Sequence, residues 1–482
     1  MLSKPISIYE INTVTWLRSL SEKQNRSVNL FTVPPEEWDR IASYGCDVVW
    51  LMGVWERSQA AIAIDKANDK LVMELSTLLP DFSMEFDLTG SGYSIRSYTV
   101  DDAFGGDLAL TVARRELKQR GMKLLLDYVP NHVAPDHPWA SEHPEYFVGG
   151  SMEDMQASPD AFLQVGPNVL ARGKDPNFAP WPDVLQLNAF APELRGAIKD
   201  LFASLMDKCD GVRCDMAMLM NNAIFSGTWQ GRVGPPPETE FWTDIVSSVR
   251  SHRSDFLFIA EAYWNTEPEL LNLGFDACYD KDFYDDLVSD YASKLREHLA
   301  APQGTQMHQV RFLENHDEPR AAATLPGEKG RMAAVILATT PGSRLYYEGQ
   351  FAGATIRTPV QLGRDPAYTP DEHLETFYKG LMQLMREIEP SPDTWTVCAT
   401  SEDTVLAWTW RSHEDRYVTI VNFGLESREF KIDLGNDSGV TGDSHVTCQF
   451  ATTPGVESAA HADENTLTGK LDGFKALILQ VG

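Results

Sequence analysis

Four apolar runs of the sequence end in residues that could carry out acid–base or nucleophilic chemistry. The residues at these ends are Asn131, His132, Arg213, Asp215, Glu261, Asn315, His316 and Asp317. A carboxylate can attack carbon, a carboxylic acid can protonate a leaving group, and histidine and arginine can bind the oxygens around them.

Each of these residues also has a structural interpretation. An Asp or Glu after a strand often caps the next helix, and Arg213 with Asp215 could form an ion pair that only stabilises the fold. Taken together, however, like charges crowded at one place are electrostatically costly. A site that gathers three carboxylates, two histidines and an arginine therefore favours a functional explanation.

Short apolar strands alternate with amphipathic helices from the N-terminus to about residue 390. Such alternation is typical of βα units that build a parallel sheet. The eight strand candidates are ISIYEINTV, CDVVWLMGVW, MKLLLDYV, DGVRCD, FLFIAE, FDACYD, VRFLENHD and SRLYYEG. Eight strands with helices between them predict an α/β fold, a (β/α)8 TIM barrel. In such a barrel the site forms at the carboxyl ends of the strands, where the four polar endings would meet.

Two changes in this rhythm divide the chain. Residues 133–188 are rich in Pro, Gly, Asp and Trp and are too long for an ordinary connection, which predicts a short inserted subdomain after the third strand. Residues 1–132 and 189–392 would then form the catalytic barrel. Residues 393–482 contain short alternating runs separated by turn residues, which predict a C-terminal antiparallel β-sandwich.

Composition excludes several classes of partner. The formal charge of −29 argues against nucleic acid or an anionic membrane, because both would repel the chain. The first residues lack the apolar core of a signal peptide, so we expect a cytoplasmic protein. The charge fits a neutral small-molecule ligand such as a carbohydrate. The six cysteines show no CxxC pair and are expected to be buried free thiols. Nothing in the composition indicates an oligomeric state.

The polar endings resemble the conserved regions of the alpha-amylase family, glycoside hydrolase family 13. In the order of that family they read DYVPNH (127–132), GVRCD (211–215), IAEAYW (259–264) and FLENHD (312–317), and the fifth region resembles PDVLQLN (182–188). The resemblance covers nearly the whole chain. It implies the same barrel, insert and β-sandwich that the pattern predicts, and it leaves the subfamily open.

The resemblance implies a role for each carboxylate. Asp215 would be the nucleophile, Glu261 the acid/base, and Asp317 the third carboxylate, which binds sugar hydroxyls as the ring distorts. Arg213 lies two residues before Asp215 on the same face of the strand, so we expect it to lower the pKa of that carboxyl. Glu261 follows an apolar run, where desolvation would raise its pKa.

Four further residues are candidates for binding the sugar. His132 and His316 match the two family histidines that hydrogen-bond the reacting sugar. Tyr93 resembles the aromatic platform beneath that sugar, although it could equally be a core tyrosine. Trp264 could stack on an acceptor sugar or could fill the gap between strand and helix.

The chain departs from the family pattern after the nucleophile. Met218 and Leu219 stand where many family amylases carry a Lys-His pair that contacts acceptor sugars and helps to bind calcium. Asn131 matches a common calcium ligand, but the other acidic ligands are not evident, and a hard cation wants six or more oxygens. We therefore expect that the protein requires no cofactor. Calcium binding is possible, with Asn131 as one of its ligands.

Three functional hypotheses remain open from the sequence. The main one is a retaining glycosidase of the alpha-amylase type that cleaves α-glucosidic bonds of short α-glucans or small α-glucosides. The alternative is a transglycosylase that transfers a glucosyl or maltosyl unit on the same scaffold. The third is a non-catalytic carbohydrate-binding protein, which the presence of all three carboxylates argues against. A nucleotide-dependent enzyme is disfavoured because the chain has no GxxxxGK[ST] loop.

Overall fold

Eight parallel strands close into a barrel. The computed structural model describes residues 4–289, 291–435, 445–453, 460–463 and 465–482. The barrel strands are β1 (Ser7–Asn12), β2 (Val48–Met52), β3 (Lys123–Tyr128), β4 (Gly211–Cys214), β5 (Leu257–Ala260), β6 (Ala277–Tyr279), β7 (Gln309–Phe312) and β8 (Ser343–Tyr347). Each strand pairs with the next along the chain, and β8 pairs with β1. The predicted (β/α)8 barrel is confirmed.

The strands are buried on both faces because helices cover the outside and side chains fill the inside. Every residue of β2 is buried, for example, and its sequence VVWLM is entirely apolar. In-register pairing continues beyond the strand ends, since the Asp215 amide donates to the Tyr128 carbonyl and the Glu261 amide to the Cys214 carbonyl. The residues that end β3, β4 and β5 consequently lie side by side at one rim of the barrel.

Helices occupy the connections between strands. The helix Glu372–Ile388 follows β8 and begins after Asp371, whose carboxylate accepts hydrogen bonds from the amides of His373 and Leu374. Within the described residues, no helix is long and apolar enough to cross a membrane. The other α-helices are Thr13–Gln24, Pro35–Ser43, Gln59–Lys66, Asp69–Leu78, Gly106–Gln119, Pro138–Glu142, Met152–Ala157, Pro192–Lys208, Asn222–Thr228, Phe241–His252, Glu267–Asn272, Lys281–Val288, Ala292–Leu299, Gln303–Gln306, Ala321–Thr324 and Glu328–Thr339.

Two excursions interrupt the barrel on the side of its carboxyl rim. The first lies between β2 and β3 and contains an antiparallel pair, Trp55–Arg57 with Ile95–Val100, which the sequence pattern did not predict. The second follows β3 and contains a three-stranded antiparallel sheet. Its strands, in chain order, are Gly149–Gly150, Phe162–Val165 and Asn168–Ala171. This sheet lies within the predicted insert of residues 133–188. The predicted domain boundaries themselves stay predictions.

The chain ends in two antiparallel sheets. Their strands are β9 (Ser391–Val397), β10 (Ala399–Thr400), β11 (Val405–Ser412), β12 (Asp415–Asn422), β13 (Arg428–Asp433), β14 (Val446–Ala451), β15 (Ala460–Asp463), β16 (Thr466–Leu471) and β17 (Lys475–Val481). The strand orders are β9-β11-β12-β17-β14 and β10-β13-β16-β15. The predicted C-terminal antiparallel domain is confirmed, although residues 436–444, 454–459 and 464 of its predicted span lie outside the described residues.

The C-terminal domain packs directly on the barrel. Two of its tryptophans, Trp395 and Trp408, donate their indole N–H groups to the carbonyl and hydroxyl oxygens of Thr339. Thr339 ends the helix Glu328–Thr339, which is buried from Met332 onward because it lies between the barrel and the C-terminal sheets. All six cysteines are free thiols, as expected from the sequence.

Candidate active site

A pocket of about 340 Å³ opens at the carboxyl rim of the barrel. It is lined by the three predicted carboxylates together with two of the predicted sugar-binding residues, His132 and Tyr93. The structure therefore brings residues from four different strand ends and from the first excursion to one place. The remaining residues of its wall are Ser91, Trp181, Asp183, Val184, Met216, Tyr263, Val360 and Gln361.

Arg213 lies beneath the pocket and contacts two of the carboxylates. Its Nη1 donates to Asp215 Oδ1 at 2.7 Å, and its Nη2 lies 2.7 Å from Glu261 Oε2 as an ion pair. The guanidinium is only 1% exposed, so water does not screen these contacts. One guanidinium thus holds Asp215 and Glu261 at the same end of the pocket.

Burial, rather than Arg213, sets the direction of the pKa shift at Asp215. Burial raises the pKa of this carboxyl and outweighs the opposing effect of the Arg213 guanidinium, while Asp317 raises it further. Arg213 does lower the pKa of Asp215, as expected from the sequence, but the effect of burial is larger and the net shift is upward. The arginine shares its charge between two carboxylates, so it compensates only part of the cost of burying each one.

Glu261 is held by a backbone amide and by a tyrosine. The Met216 amide donates to Glu261 Oε2 at 2.6 Å, and the Tyr263 hydroxyl donates to Oε1 at 2.7 Å. Burial raises the pKa of Glu261 to about 7, against the opposing effect of Arg213. A substantial fraction of this group is therefore protonated at neutral pH, in agreement with the raised pKa expected from the sequence.

Asp317 is the most acidic of the three carboxylates. Its side chain is 45% exposed, and its Oδ2 lies 3.0 Å from His316 Nε2. Enclosure in the pocket works to raise the pKa of Asp317, but the contact with His316 outweighs it and lowers the pKa to about 2. Asp317 is therefore ionised at neutral pH.

His316 lies behind the pocket wall and is only 1% exposed. Its Nδ1 is 2.5 Å from Glu10 Oε1, and its Nε2 is 2.8 Å from the Tyr93 hydroxyl as well as close to Asp317. Asp317 and Glu10 raise the pKa of His316 well above its ordinary value, against the effect of burial. Both ring nitrogens thus already have protein partners, and the Tyr93 ring stacks on the imidazole at 5.3 Å.

His132 lies on the opposite wall, 6% exposed, with its ring 5.2 Å from that of Trp181. Burial lowers the pKa of His132 to about 4, so the imidazole is neutral at neutral pH. Trp181 and Asp183 come from the segment after β3 and close this side of the pocket. His132 therefore lines the pocket as a neutral group, and its ring already hydrogen-bonds the backbone of Tyr93.

Trp264 does not line the pocket within the described residues; its side chain is 43% exposed and lies on the surface beyond Glu261. Its backbone and that of Asn265 are both left-handed, with φ of 62° and 59°. The exposure disagrees with the alternative that Trp264 fills a gap between strand and helix. Met218 and Leu219 are buried at 0% and 3%, so neither offers its side chain to the acceptor side.

The donors around Asn131 do not fit a calcium ion. The Asn131 side-chain oxygen and backbone carbonyl both accept hydrogen bonds from the amide nitrogen of Gln186. In the part of the chain that the structure describes, no cluster of three or more His, Cys, Asp or Glu side chains could hold a metal ion. A hard cation would require a larger set of oxygens than these neutral groups supply.

Several residues of the site escaped sequence reasoning. Tyr263 stands two residues after Glu261, and the strand-like alternation of EAY could have indicated that both side chains face the same way. Glu10 is a charged residue inside the apolar run of β1, which is a usable signal because such a residue needs a partner. Trp181, Val360 and Gln361 belong to irregular segments, where spacing carries no such information.

A family model described as the alpha amylase catalytic domain matches residues 36–371. Alpha-amylase MalA of Haloarcula japonica is 28% identical over 375 residues, which cover 72% of this chain and 50% of that protein. The chain thus spans half the length of that relative. A probable oligo-1,6-glucosidase 2 of Bacillus subtilis is 23% identical over 426 residues, covering 77% of this chain and 69% of that protein.

Solved structures share the whole architecture. A maltogenic alpha-amylase AmyB from Thermotoga neapolitana superposes with a TM-score of 0.71 at 19% identity, covering 100% of this chain and 99% of that one. An alpha-amylase from Geobacillus thermoleovorans gives a TM-score of 0.69 at 19% identity, with 99% and 98% coverage. At this identity the likeness shows the fold alone. The family model, which matches most of the chain, shows that this protein belongs to the alpha-amylase family.

Proposed function

We propose that the chain is a retaining glycosidase that cleaves α-glucosidic bonds of short α-glucans or small α-glucosides. The observation that carries this proposal is the contact of one buried guanidinium, Arg213, with both Asp215 and Glu261 at 2.7 Å. Two carboxyl groups held together at the end of a pocket are what a double displacement at an anomeric carbon needs. The family membership and the named hydrolases among the relatives support it further.

In the first step, a carboxylate oxygen of Asp215 attacks the anomeric carbon of the sugar bound in the pocket. Glu261, whose pKa is raised to about 7, donates its proton to the glycosidic oxygen as the carbon–oxygen bond breaks. The leaving sugar departs as a neutral alcohol, and the glycosyl unit stays esterified to Asp215. Glu261 is left as a carboxylate.

In the second step, Glu261 accepts a proton from water while the water oxygen attacks the anomeric carbon. The ester bond to Asp215 breaks, the sugar is released with its original configuration, and both groups return to their starting states. Asp317, ionised and exposed to the pocket, would bind sugar hydroxyls as the ring distorts, and His132 would bind the same sugar. These steps use side chains of the chain only.

Transfer to another sugar is the second candidate. It uses the same covalent intermediate, with a sugar hydroxyl in place of water. Maltosyltransferases are among the named relatives; one from Burkholderia pseudomallei is 26% identical over 235 residues, which cover 47% of this chain and 18% of that protein. The half-exposed Trp264 beyond Glu261 offers a face on which an acceptor sugar could stack. A cytoplasmic location stays a prediction, in keeping with six free cysteines.

The test is hydrolysis of a panel of α-glucosides by the wild type and by Asp215→Asn. We expect wild-type cleavage that falls by at least about 10⁴-fold in the variant. Glu318→Gln is the matched control, since Glu318 is a neighbouring carboxylate that pairs with Lys281 outside the pocket, and it should keep its activity. Products with and without an added acceptor sugar separate hydrolysis from transfer. Activity that survives the loss of Asp215 would refute the assignment.

A further inference from the structure

Gln186 is a fully buried residue at the junction between the barrel and the segment after β3. The short strand Leu185–Gln186 pairs with His132–Val133, which places Gln186 opposite His132. Its Nε2 donates to the Asn131 carbonyl at 2.9 Å, to Asn131 Oδ1 at 2.8 Å and to the Leu187 carbonyl at 3.1 Å. Three oxygens thus converge on one amide –NH₂ group, which has two hydrogens to share among them.

Backbone groups fix the orientation of this amide. The Lys174 backbone N–H donates to Gln186 Oε1 at 3.3 Å, and the two carbonyls on the other side can only accept. An exchange of Oε1 and Nε2 would place oxygen against two carbonyls and nitrogen against an N–H. Gln186 therefore has one orientation that satisfies its surroundings.

The orientation of Gln186 determines that of Asn131. Because Gln186 Nε2 is a donor, the Asn131 atom that faces it must be the acceptor Oδ1. Asn131 Nδ2 then faces His132 Nδ1 at 3.3 Å, in surroundings that leave Asn131 only 1% exposed. An amide nitrogen can only donate, so His132 Nδ1 must accept, and the single proton of the neutral ring lies on Nε2.

We propose that Gln186 and Asn131 are positioning residues that hold His132 in its Nε2–H tautomer, so that the ring donates a hydrogen bond at the sugar site. The proposal rests on the proposed function, because it assigns the direction of a hydrogen bond in that site. Gln186 Nε2 also donates to the three converging oxygens of Asn131 and Leu187, so this amide nitrogen takes the place that a cation would otherwise occupy. The junction is thereby independent of calcium.

The test begins with nitrogen NMR of protein labelled with ¹⁵N-histidine. The chain has eleven histidines, and His132→Gln identifies the resonances of His132 by their loss. We expect the wild type to show a neutral ring protonated at Nε2. A wild-type ring protonated at Nδ1 would overturn the proposal without any variant.

Two variants should reverse the tautomer. Gln186→Glu, measured at a pH where the new carboxyl is ionised, replaces the donor by an oxygen, so Asn131 must turn its –NH₂ toward it and present Oδ1 to His132, which moves the proton to Nδ1. Asn131→Asp has the same effect directly, since a carboxylate can only accept. The control is Gln164→Glu, an exposed residue of the same segment that gains the same charge and should leave the tautomer unchanged. If both variants fold and His132 keeps its wild-type tautomer in both, the proposed role of Gln186 and Asn131 is contradicted.

Kinetics and metal dependence complete the test. We expect Gln186→Glu to lower kcat/KM about tenfold, the loss of one hydrogen bond to the sugar, while Gln164→Glu has no effect. The wild-type Tm should be the same with excess EDTA and with millimolar calcium; a Tm that rises with calcium would contradict the independence from calcium. The NMR and Tm measurements need no catalysis. If the protein cleaves no glucoside, the proposed function is refuted, and the NMR and Tm results still test the hydrogen bonds from Gln186 through Asn131 to His132.

Discussion

At the scale of single residues, the site separates the acidities of three carboxyl groups that lie close together. His316 lowers the pKa of Asp317 to about 2, whereas burial raises that of Glu261 to about 7 and also raises that of Asp215. A proton donor, Glu261, and an ionised carboxylate, Asp317, can thus coexist at one pH. Since the first step needs protonated Glu261, kcat/KM should fall as the pH rises through about 7.

Tyr263→Phe tests this arrangement. The variant removes the donor to Glu261 Oε1, which stabilises the carboxylate more than the acid, so the pKa of Glu261 should rise. We expect the basic limb of the kcat/KM profile to move to higher pH, with an activity loss of about tenfold at the optimum. The control is Tyr291→Phe, whose side chain is 60% exposed and lies outside the pocket. A basic limb that stays in place or moves to lower pH would contradict the prediction.

The residues that could be read from the sequence are those that end strands. Asp215 and Glu261 follow apolar runs directly, and the barrel geometry then brings them to one rim. Trp181 and Gln361 reach the same pocket from irregular segments whose path depends on tertiary contacts. The hydrogen bond between Gln186 and Asn131 could not be predicted for the same reason, because the two residues are 55 positions apart in sequence.

At the scale of elements, the distance between nucleophile and acid/base depends on how closely β4 approaches β5. Gly211 begins β4, and a Cβ built on it would lie 2.5 Å from Leu257 Cβ and 2.7 Å from the Leu257 carbonyl oxygen. The two strands therefore pair at a separation that only glycine allows at this position. Their in-register pairing also places Arg213 beside Ile259, two residues before Glu261.

We expect Gly211→Ala to destabilise the protein by about 1–3 kcal/mol, because the added methyl group forces the backbones of β4 and β5 apart. The variant should also lose activity, since Asp215 and Glu261 follow these two strands. Urea unfolding and kcat measure the two effects. Gly196→Ala is the control: a Cβ there meets nothing within 4 Å, and the helix Pro192–Lys208 should gain up to about 1 kcal/mol. Equal effects of the two substitutions would contradict this account.

The eight barrel strands were predictable because their apolar runs are short and lie between helices with clear amphipathic faces. Even the weak candidate FDACYD forms β6, Ala277–Tyr279, since it is buried between its two neighbours. The pair Trp55–Arg57 and Ile95–Val100 escaped prediction because its strands are short and pair with bulges. Its residues alternate too little to give a strand pattern.

At the scale of the whole molecule, the C-terminal domain stabilises the barrel through a buried interface whose residues Trp395, Trp408 and Thr339 do not line the pocket. Trp408 is 0% exposed and reaches Thr339 of the barrel. We expect Trp408→Ala to lower the free energy of unfolding by about 3–5 kcal/mol, with kcat unchanged under conditions where the variant stays folded. Leu425→Ala, at a side chain 83% exposed on the same domain, should change neither quantity. A loss of kcat without loss of stability would show that the interface acts on the site instead.

The proposed reaction is a double displacement at Asp215 with Glu261 as its acid/base. The most direct measurement is proton NMR of the sugar released from an α-glucoside in the first minutes, before the anomers interconvert. Because Asp215 and Glu261 share one guanidinium, we predict that the α-anomer appears first. Initial release of the β-anomer would mean a single displacement by water, and would contradict the assignment of Asp215 as the nucleophile.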